Sequence, residues 1–240
     1  MGEVEVAFER KAIKNLHIGI YPPGGRVRVA APLALTDEAI RLAVVTRLGW
    51  IKRRRAEFAA QPRQNERHLR GGESHYVFGQ RLRLRVIEGH GAPTFKKRGT
   101  WLDAHLRPGL SEDAKRRALG EWGRALLREQ LAPLIEKWSR ILGVCVAAWS
   151  IKQMKTKWGS CNVRARRVWF NLELWKKPLP CIEYLVVHEL IHLLERLHSP
   201  RFVALLDRHL PTWRARRDQL NAAPLGHDVW NDNPAPNPSP

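Results

Sequence analysis

The sequence is short of cysteine, of acidic residues and of long apolar runs, and each shortage excludes a class of protein. Its 3 cysteines in 240 residues are odd in number and scattered, which argues against a disulfide framework and favours a reducing compartment. No stretch approaches the roughly 18–20 consecutive apolar residues that a membrane-spanning helix needs. The first residues also lack the basic and apolar segments of a secretory signal. We therefore expect a cytoplasmic protein without a membrane partner.

Acidic residues are outnumbered by basic ones: 42 lysines and arginines against 23 aspartates and glutamates give a formal net charge of +19. The basic residues cluster in segments 41–70 and 152–167, and the first segment contains four consecutive cations, Lys52, Arg53, Arg54 and Arg55. A positive surface attracts polyanions, so we predict that this run contacts nucleic acid, with little sequence preference because no base-reading motif accompanies it. A solubilising surface, an acidic protein partner and a lipid surface are the alternatives.

Hydrophobic patterning divides the chain into a β-rich part and a mostly helical part. Short alternating runs in residues 1–100 predict strands, interrupted by one helix with Thr36 as its N-cap. From about residue 111 the apolar spacing is helical, and Pro133 is expected to kink or split the long helix because proline lacks a backbone donor. We predict an α+β protein with a β-rich N-terminal domain at 1–100, a second domain at 101–224 and a disordered tail at 225–240.

The motif with the most specific chemical meaning is His188-Glu189-Leu190-Ile191-His192, which lies in an otherwise apolar segment. Two histidines four residues apart share one face of a helix and can share a cation. Zinc suits imidazole nitrogens and lowers the pKa of a bound water to about 7. Glu189 can accept a proton from that water and pass it to a leaving amine. The alternative is a buried polar network without a metal.

A catalytic zinc needs a third protein ligand and an open position, and His198 is the best candidate for that ligand. Because His198 lies six residues after His192, it would face away from the metal on an unbroken helix. Ser199-Pro200 predicts that one helix ends and another begins here, which lets the chain turn back. The spacing is that of metzincins, but Glu195 replaces the metzincin glycine. Glu195 and Asp207 are the alternative third ligands.

The run from Met154 to Asn221 resembles the YgjP-like metallopeptidases of bacteria, a group that is kin to the SprT-like proteases and placed among the minimal gluzincin-type enzymes. The segments that carry the resemblance are Lys155-Thr156-Lys157-Trp158-Gly159-Ser160-Cys161, Phe170-Asn171-Leu172, Tyr184–Leu193, His198-Ser199 with Phe202, and Pro211 with Trp213. The N-terminal part looks similar too, at Arg26–Pro32, Gly49-Trp50-Ile51 and Phe78-Gly79. The resemblance therefore covers most of the chain.

This resemblance implies a zincin-like domain with a small β-sheet and an active-site helix, zinc at His188, His192 and His198, and Glu189 as the catalytic base. It also implies that the strand holding Phe170-Asn171-Leu172 forms the rim of the cleft, where a substrate backbone could add as a further strand. Some family members are described as nucleotide pyrophosphatases. We predict a zinc metallopeptidase acting on a peptide or protein, with a nucleotide hydrolase or a nucleic-acid-binding module with a structural metal site as alternatives.

Overall fold

The computed structural model describes residues 4–21, 25–60, 68–154 and 157–222, and the tail predicted at 225–240 lies outside these ranges. The strands are β1 Val6–Lys11, β2 His17–Tyr21, β3 Arg26–Pro32, β4 Ser74–Val77, β5 Gln80–Glu88, β6 Thr94–Arg98, β7 Trp101–Leu106, β8 Ala148–Lys152, β9 Gly159–Asn162 and β10 Arg167–Asn171. The helices are α1 Asp37–Val45, α2 Leu48–Ala60, α3 Glu112–Leu142, α4 Leu179–Ile191, α5 Pro200–His209 and α6 Trp213–Ala222. The predicted α+β class is confirmed. No described helix is long and apolar enough to span a membrane.

The N-terminal strands form a three-stranded sheet in the order β1-β3-β2, in which β3 is parallel to β1 and antiparallel to β2. Alternation along β3 buries Val27, Val29 and Ala31 on one face. Ile40 of α1 and Ile51 of α2 pack against that face. The sheet and both helices therefore share a small apolar core.

The prediction of one helix in the first hundred residues is wrong, because the structure has two helices with a break at Thr46 and Arg47. The Thr46 hydroxyl donates to the Ala43 carbonyl at 3.1 Å, and the Arg47 amide donates to the Val44 carbonyl at 3.1 Å. Both bonds reach back three residues rather than four, which tightens and ends the last turn of α1. The periodicity of the apolar side chains continues across the break and conceals it in the sequence.

A second sheet has the order β4-β5-β7-β6, in which β5 is parallel to β7 and the other two pairs are antiparallel. Its inner face packs against the helical part of the chain and carries Leu82, Leu84, Phe95, Leu102 and Ala104. This sheet crosses residue 100, since β6 ends before it and β7 follows it. One apolar core reaches from Leu69 to Leu220. The second sheet and this core therefore both cross the boundary predicted at residue 100. The division of the chain into two domains stays a prediction.

Helix α3 continues through Pro133 as one element, so the expected split does not occur. Ser111 begins it by accepting a hydrogen bond from the Ala114 amide at 3.3 Å, and Gly143 ends it with a φ of 65°. The helix buries a stripe consisting of Leu127, Leu131, Ile135, Trp138 and Leu142. The free energy gained by burying this stripe offsets the loss of the backbone hydrogen bond that proline cannot make.

The third sheet, in the order β8-β10-β9, lies beside α4. Strand β10 is its centre, parallel to β8 and antiparallel to β9. Helix α4 is in contact with β9 and with α3, α5 and α6. A helix covered on several sides needs apolar residues around most of its circumference, which explains why α4 is apolar apart from its few polar residues.

Two glycines inside α3 lead to opposite predictions. A Cβ on Gly123 would lie 2.6 Å from the Trp175 ring, so Gly123→Ala should destabilise the protein by about 1–3 kcal/mol through overpacking. A Cβ on Gly120 would meet only Leu172, at 3.9 Å, so Gly120→Ala should stabilise it by about 0.5–1 kcal/mol through helix propensity. Urea unfolding of both variants measures the free energies. Equal effects would contradict the packing at Gly123.

Candidate active site

The two histidines of the motif lie at the C-terminal end of α4, where the helix ends and the chain reverses. Helix α4 ends at Ile191, with His192 as its C-cap. Helix α5 begins at Pro200, where the Ser199 hydroxyl oxygen accepts a hydrogen bond from the Phe202 amide at 3.3 Å. The segment between the helices turns back and carries His198 to the motif. The break that Ser199-Pro200 predicts is therefore confirmed.

The side chains of His188, His192 and His198 form one cluster. One ring nitrogen from each lies within 4.8 Å of the other two, and the Nε2 atoms of His188 and His198 are 3.2 Å apart. Tetrahedral coordination with zinc–nitrogen distances of about 2.0–2.1 Å would place ligand nitrogens about 3.3 Å from one another. The donor set and its spacing therefore fit a divalent transition metal.

Neighbouring groups orient these rings. The Glu195 carbonyl lies 3.2 Å from His192 Nδ1 and can accept its proton, which leaves Nε2 of that ring as the donor toward a metal. The Tyr184 hydroxyl lies 3.4 Å from His188 Nδ1. Phe202, which is buried, has its ring centroid 4.8–5.0 Å from those of all three histidines. The cluster therefore rests on an apolar wall, with polar partners at the Nδ1 atoms of His188 and His192.

The two alternative third ligands are held elsewhere. The Glu195 carboxylate accepts a hydrogen bond from the Leu197 amide at 3.2 Å. Asp207 accepts one from the Trp213 indole at 2.7 Å and pairs with Arg214. Neither carboxylate belongs to the histidine cluster. The geometry therefore favours His198, whose coordination of a metal stays a prediction.

Burial sets the protonation of the site. Burial and the neighbouring rings lower the pKa of His188 to about 3, and burial also lowers the pKa of His192. Both rings are therefore neutral near pH 7, the form that binds metals. Burial raises the pKa of Glu189 to about 8, and Lys157 opposes this shift. A cation beside the carboxylate would favour its ionised form.

Glu189 is held against the backbone of β9 at Gly159. A Cβ on Gly159 would lie 2.5 Å from Glu189 Oε1 and 2.8 Å from its Cδ, so only glycine permits this approach. Asn171 of β10, which is buried, positions the loop that leads into β9. Its side-chain amide donates to the carbonyl oxygens of Met154 and Lys157, both at 2.8 Å. The sheet thereby fixes where the Glu189 carboxylate lies.

An open cleft of about 950 Å³ contains the histidines and Glu189. Its other wall comes from β9 and the turn after it, with Gly159, Ser160, Cys161, Asn162, Val163 and Arg164. The expectation that the strand holding Phe170-Asn171-Leu172 forms the rim is wrong, because β10 is paired on both edges. Strand β9 is the edge strand that lines the cleft, and β10 contributes only Trp169 to it.

Sequence reasoning placed Tyr184, Gly159 and Asn171 in segments that carry the family resemblance but assigned none of them an individual role in the site. The spacing of Tyr184, four residues before His188, places it on the face of the motif and is a signal that could have identified it. No comparable signal exists for Gly159 and Asn171. Their roles depend on how closely β9 approaches α4, which is a tertiary property.

The predicted nucleic-acid residues lie on α2, in the N-terminal part of the fold. Lys52, Arg53 and Arg54 are exposed, whereas Arg55 is half-buried with its Cγ 3.1 Å from the position a Cβ on Gly25 would take. None of the four lines the cleft. Their contact with nucleic acid stays a prediction.

A buried glutamate beside three clustered histidines is the arrangement of a metallohydrolase. The family model described as YgjP-like, metallopeptidase domain, matches residues 14–223, and the chain therefore belongs to the YgjP-like metallopeptidase family. No curated protein matches the chain. One similar solved structure is the crystal structure of the metallopeptidase zymogen of Pyrococcus abyssi abylysin, with a TM-score of 0.35 and 19% sequence identity over 37% of this chain and 89% of that one.

The contact between Gly159 and Glu189 predicts a variant that folds but is impaired. In Gly159→Ala the new methyl group would displace the flexible carboxylate, and a misplacement of about 1 Å costs on the order of 100-fold in rate. Hydrolysis should fall by that factor while metal content and thermal stability stay close to wild type. Gly71→Ala is the matched control, since a Cβ there meets nothing within 4 Å. Full activity in Gly159→Ala would show that this contact does not position Glu189.

Proposed function

We propose that this metallopeptidase is a zinc enzyme in which His188, His192 and His198 hold the metal and Glu189 is the general base. The observation that carries the proposal is the juxtaposition of three imidazole nitrogens within 4.8 Å with a buried carboxylate confined by Gly159. Imidazole is a preferred zinc ligand, and three protein ligands leave one position open for catalysis. The three cysteines are free thiols, which is consistent with the cytoplasm as its location.

The reaction that fits this site is hydrolysis of a peptide bond by water. Zinc, when bound, would supply a Lewis acid and bring the pKa of a water to about 7. Glu189 would accept the proton of the attacking water and deliver it to the leaving amine. Because Gly159 has no side chain, the Glu189 carboxylate could lie where it reaches both the attacking water and the leaving amine. Tyr184 and the Glu195 carbonyl would hold the His188 and His192 rings in orientation.

The substrate would lie along β9. This strand is the edge of its sheet and lines the cleft beside Glu189. An edge strand offers unpaired backbone donors and acceptors, to which an extended peptide can add as a further strand. Such pairing recognises the backbone, so it would position a peptide bond without selecting its side chains.

The charge of the cleft favours a second candidate, hydrolysis of a nucleotide. Three exposed cations line it, Lys157, Arg164 and Arg196, and Glu189 is the acid among the lining residues. Such a surface would attract phosphates as well as an acidic peptide. Product analysis with a protein substrate and with nucleoside triphosphates separates the two candidates.

We also propose that Lys52, Arg53, Arg54 and Arg55 contact nucleic acid. The first three of these side chains are exposed on α2. They would bind phosphates without reading bases, and binding should weaken with salt. A variant with all four residues changed to alanine should bind nucleic acid more weakly than the wild type, which a binding measurement on both proteins tests.

The three-histidine site predicts about one equivalent of zinc per chain. Replacing His188 or His192 with alanine should abolish zinc binding, and His198→Ala should weaken it strongly because the site loses one of three ligands. Elemental analysis and a chelator competition measure content and affinity. His90→Ala, at an exposed position outside the cleft, is the control. Wild-type zinc affinity in His198→Ala would remove that residue from the site.

The role of Glu189 predicts a variant that keeps the metal and loses turnover. Glu189→Gln has nearly the same shape but cannot accept a proton, so the rate should fall by roughly 10²–10⁴-fold or more with zinc content unchanged. Product formation from a denatured protein and from a nucleoside triphosphate should be measured for both forms. The candidate substrate whose hydrolysis stops in Glu189→Gln is the one turned over at this site. Wild-type rates on both substrates would refute the mechanism.

A further inference from the structure

The outer face of the four-stranded sheet carries a cluster of cations around one tryptophan. Inward-facing residues of β5 and β7 belong to the core, and the alternate positions therefore point outward. We call this outward surface the basic sheet face. Its cations on β5 and β6 are Arg81, Arg83, Arg85, Lys96 and Arg98, and they share the face with Trp101 and Asp103 of β7. All five cations are exposed.

The register places Trp101 in the middle of this surface. Arg83 lies opposite Trp101 on one side, and Arg98 lies opposite it on the other. The guanidinium carbons of Arg83 and Arg85 are 5.7 and 5.5 Å from the centroid of the indole ring. These cation–π contacts hold the ring among the cations on the surface of the sheet.

Trp101 has no part in the apolar cores of the described residues. The clusters of buried and partly buried apolar side chains include Trp122, Trp138, Trp149 and Trp175 but not Trp101. A tryptophan buries a large apolar surface when it packs in a core. Trp101 is instead half-buried among the arginines of the basic sheet face, where part of its ring stays accessible.

The charge on this face is only partly compensated. Asp103, which is buried beneath the arginines, makes two hydrogen bonds of 2.8 Å with Arg85 and lies 3.6 Å from Arg98. Within the described part of the chain, Asp103 is the carboxylate that pairs with these cations. The face therefore keeps a large positive excess.

We propose that the basic sheet face binds single-stranded nucleic acid. Its cations would contact phosphates, and Trp101 would stack an unpaired base, which is the combination used by sheet surfaces that bind single strands. A duplex would offer phosphates but no free base face, and an acidic protein segment would use the cations without needing the indole. The proposal is independent of the metal site and of the cations on α2.

Fluorescence anisotropy with a labelled oligothymidylate of about 15 nucleotides, within the range of known site sizes, tests the proposal. The single strand should bind more tightly than a duplex of equal length. Trp101→Leu should weaken binding about 5- to 150-fold, the effect of losing one stacked base, with no change in salt dependence. Arg83→Ala combined with Arg98→Ala should lower the magnitude of the log–log salt slope by about 1.4, or 0.7 per phosphate.

Two control variants make the result specific. Arg128→Ala removes a similar cation–π contact elsewhere, since its guanidinium lies 5.5 Å from the Trp149 ring, and it should leave affinity and slope unchanged. Arg164→Ala combined with Arg196→Ala removes two exposed cations of the cleft and should bind the strand like the wild type, which separates this surface from the active site. Circular dichroism verifies folding, and the single variant Arg98→Ala, whose side chain is 68% exposed, provides a substitution with little structural effect.

The outcomes that would overturn the proposal are equally definite. Unchanged affinity in Trp101→Leu would exclude base stacking. Equal binding of the duplex, or displacement of the strand by polyglutamate as effective as by unlabelled strand, would assign the face to polyanions in general. If binding were lost only when Lys52, Arg53, Arg54 and Arg55 are changed to alanine, the surface would be α2.

Discussion

The position of the Glu189 carboxylate is the constraint on which the site depends. Placing a carboxylate in an apolar environment is costly unless a charged or polar partner compensates it. Here burial raises the pKa of Glu189 to about 8, and the histidine cluster beside it is suited to hold a compensating cation. Folding therefore places an unfavourable buried carboxylate beside the histidine cluster, in the wall of the cleft.

Contacts on both sides of the cleft determine where the Glu189 carboxylate and the histidine rings lie. Gly159 lets β9 approach the carboxylate more closely than any side chain would permit, and Asn171 holds the preceding loop through two backbone carbonyls. On the other side, Ser199 begins α5 so that Phe202 packs against all three histidine rings. The cleft thus lies between an edge strand and a helix end, and side-chain hydrogen bonds hold the segments next to both.

Positive charge is distributed over three separate surfaces of the described residues. Cations line the cleft, others project from α2, and a third group surrounds Trp101 on the second sheet. The net charge of +19 does not by itself indicate where on the fold these cations lie. Arginines alternate with leucines along β5, so burial of the leucines in the main apolar core leaves the arginines together on the opposite face.

The sequence by itself determined the metal motif, because helical periodicity fixes the spacing of His188 and His192, and Ser199-Pro200 marks the break that frees His198. It also determined the α+β class through changes in hydrophobic period. Tertiary structure decided the rest. Pairing on both edges makes β10 central and leaves β9 at the cleft, Thr46 divides the predicted helix, and packing carries α3 through Pro133. These outcomes depend on contacts between residues distant in sequence or on competition among local hydrogen bonds, which residue spacing does not encode.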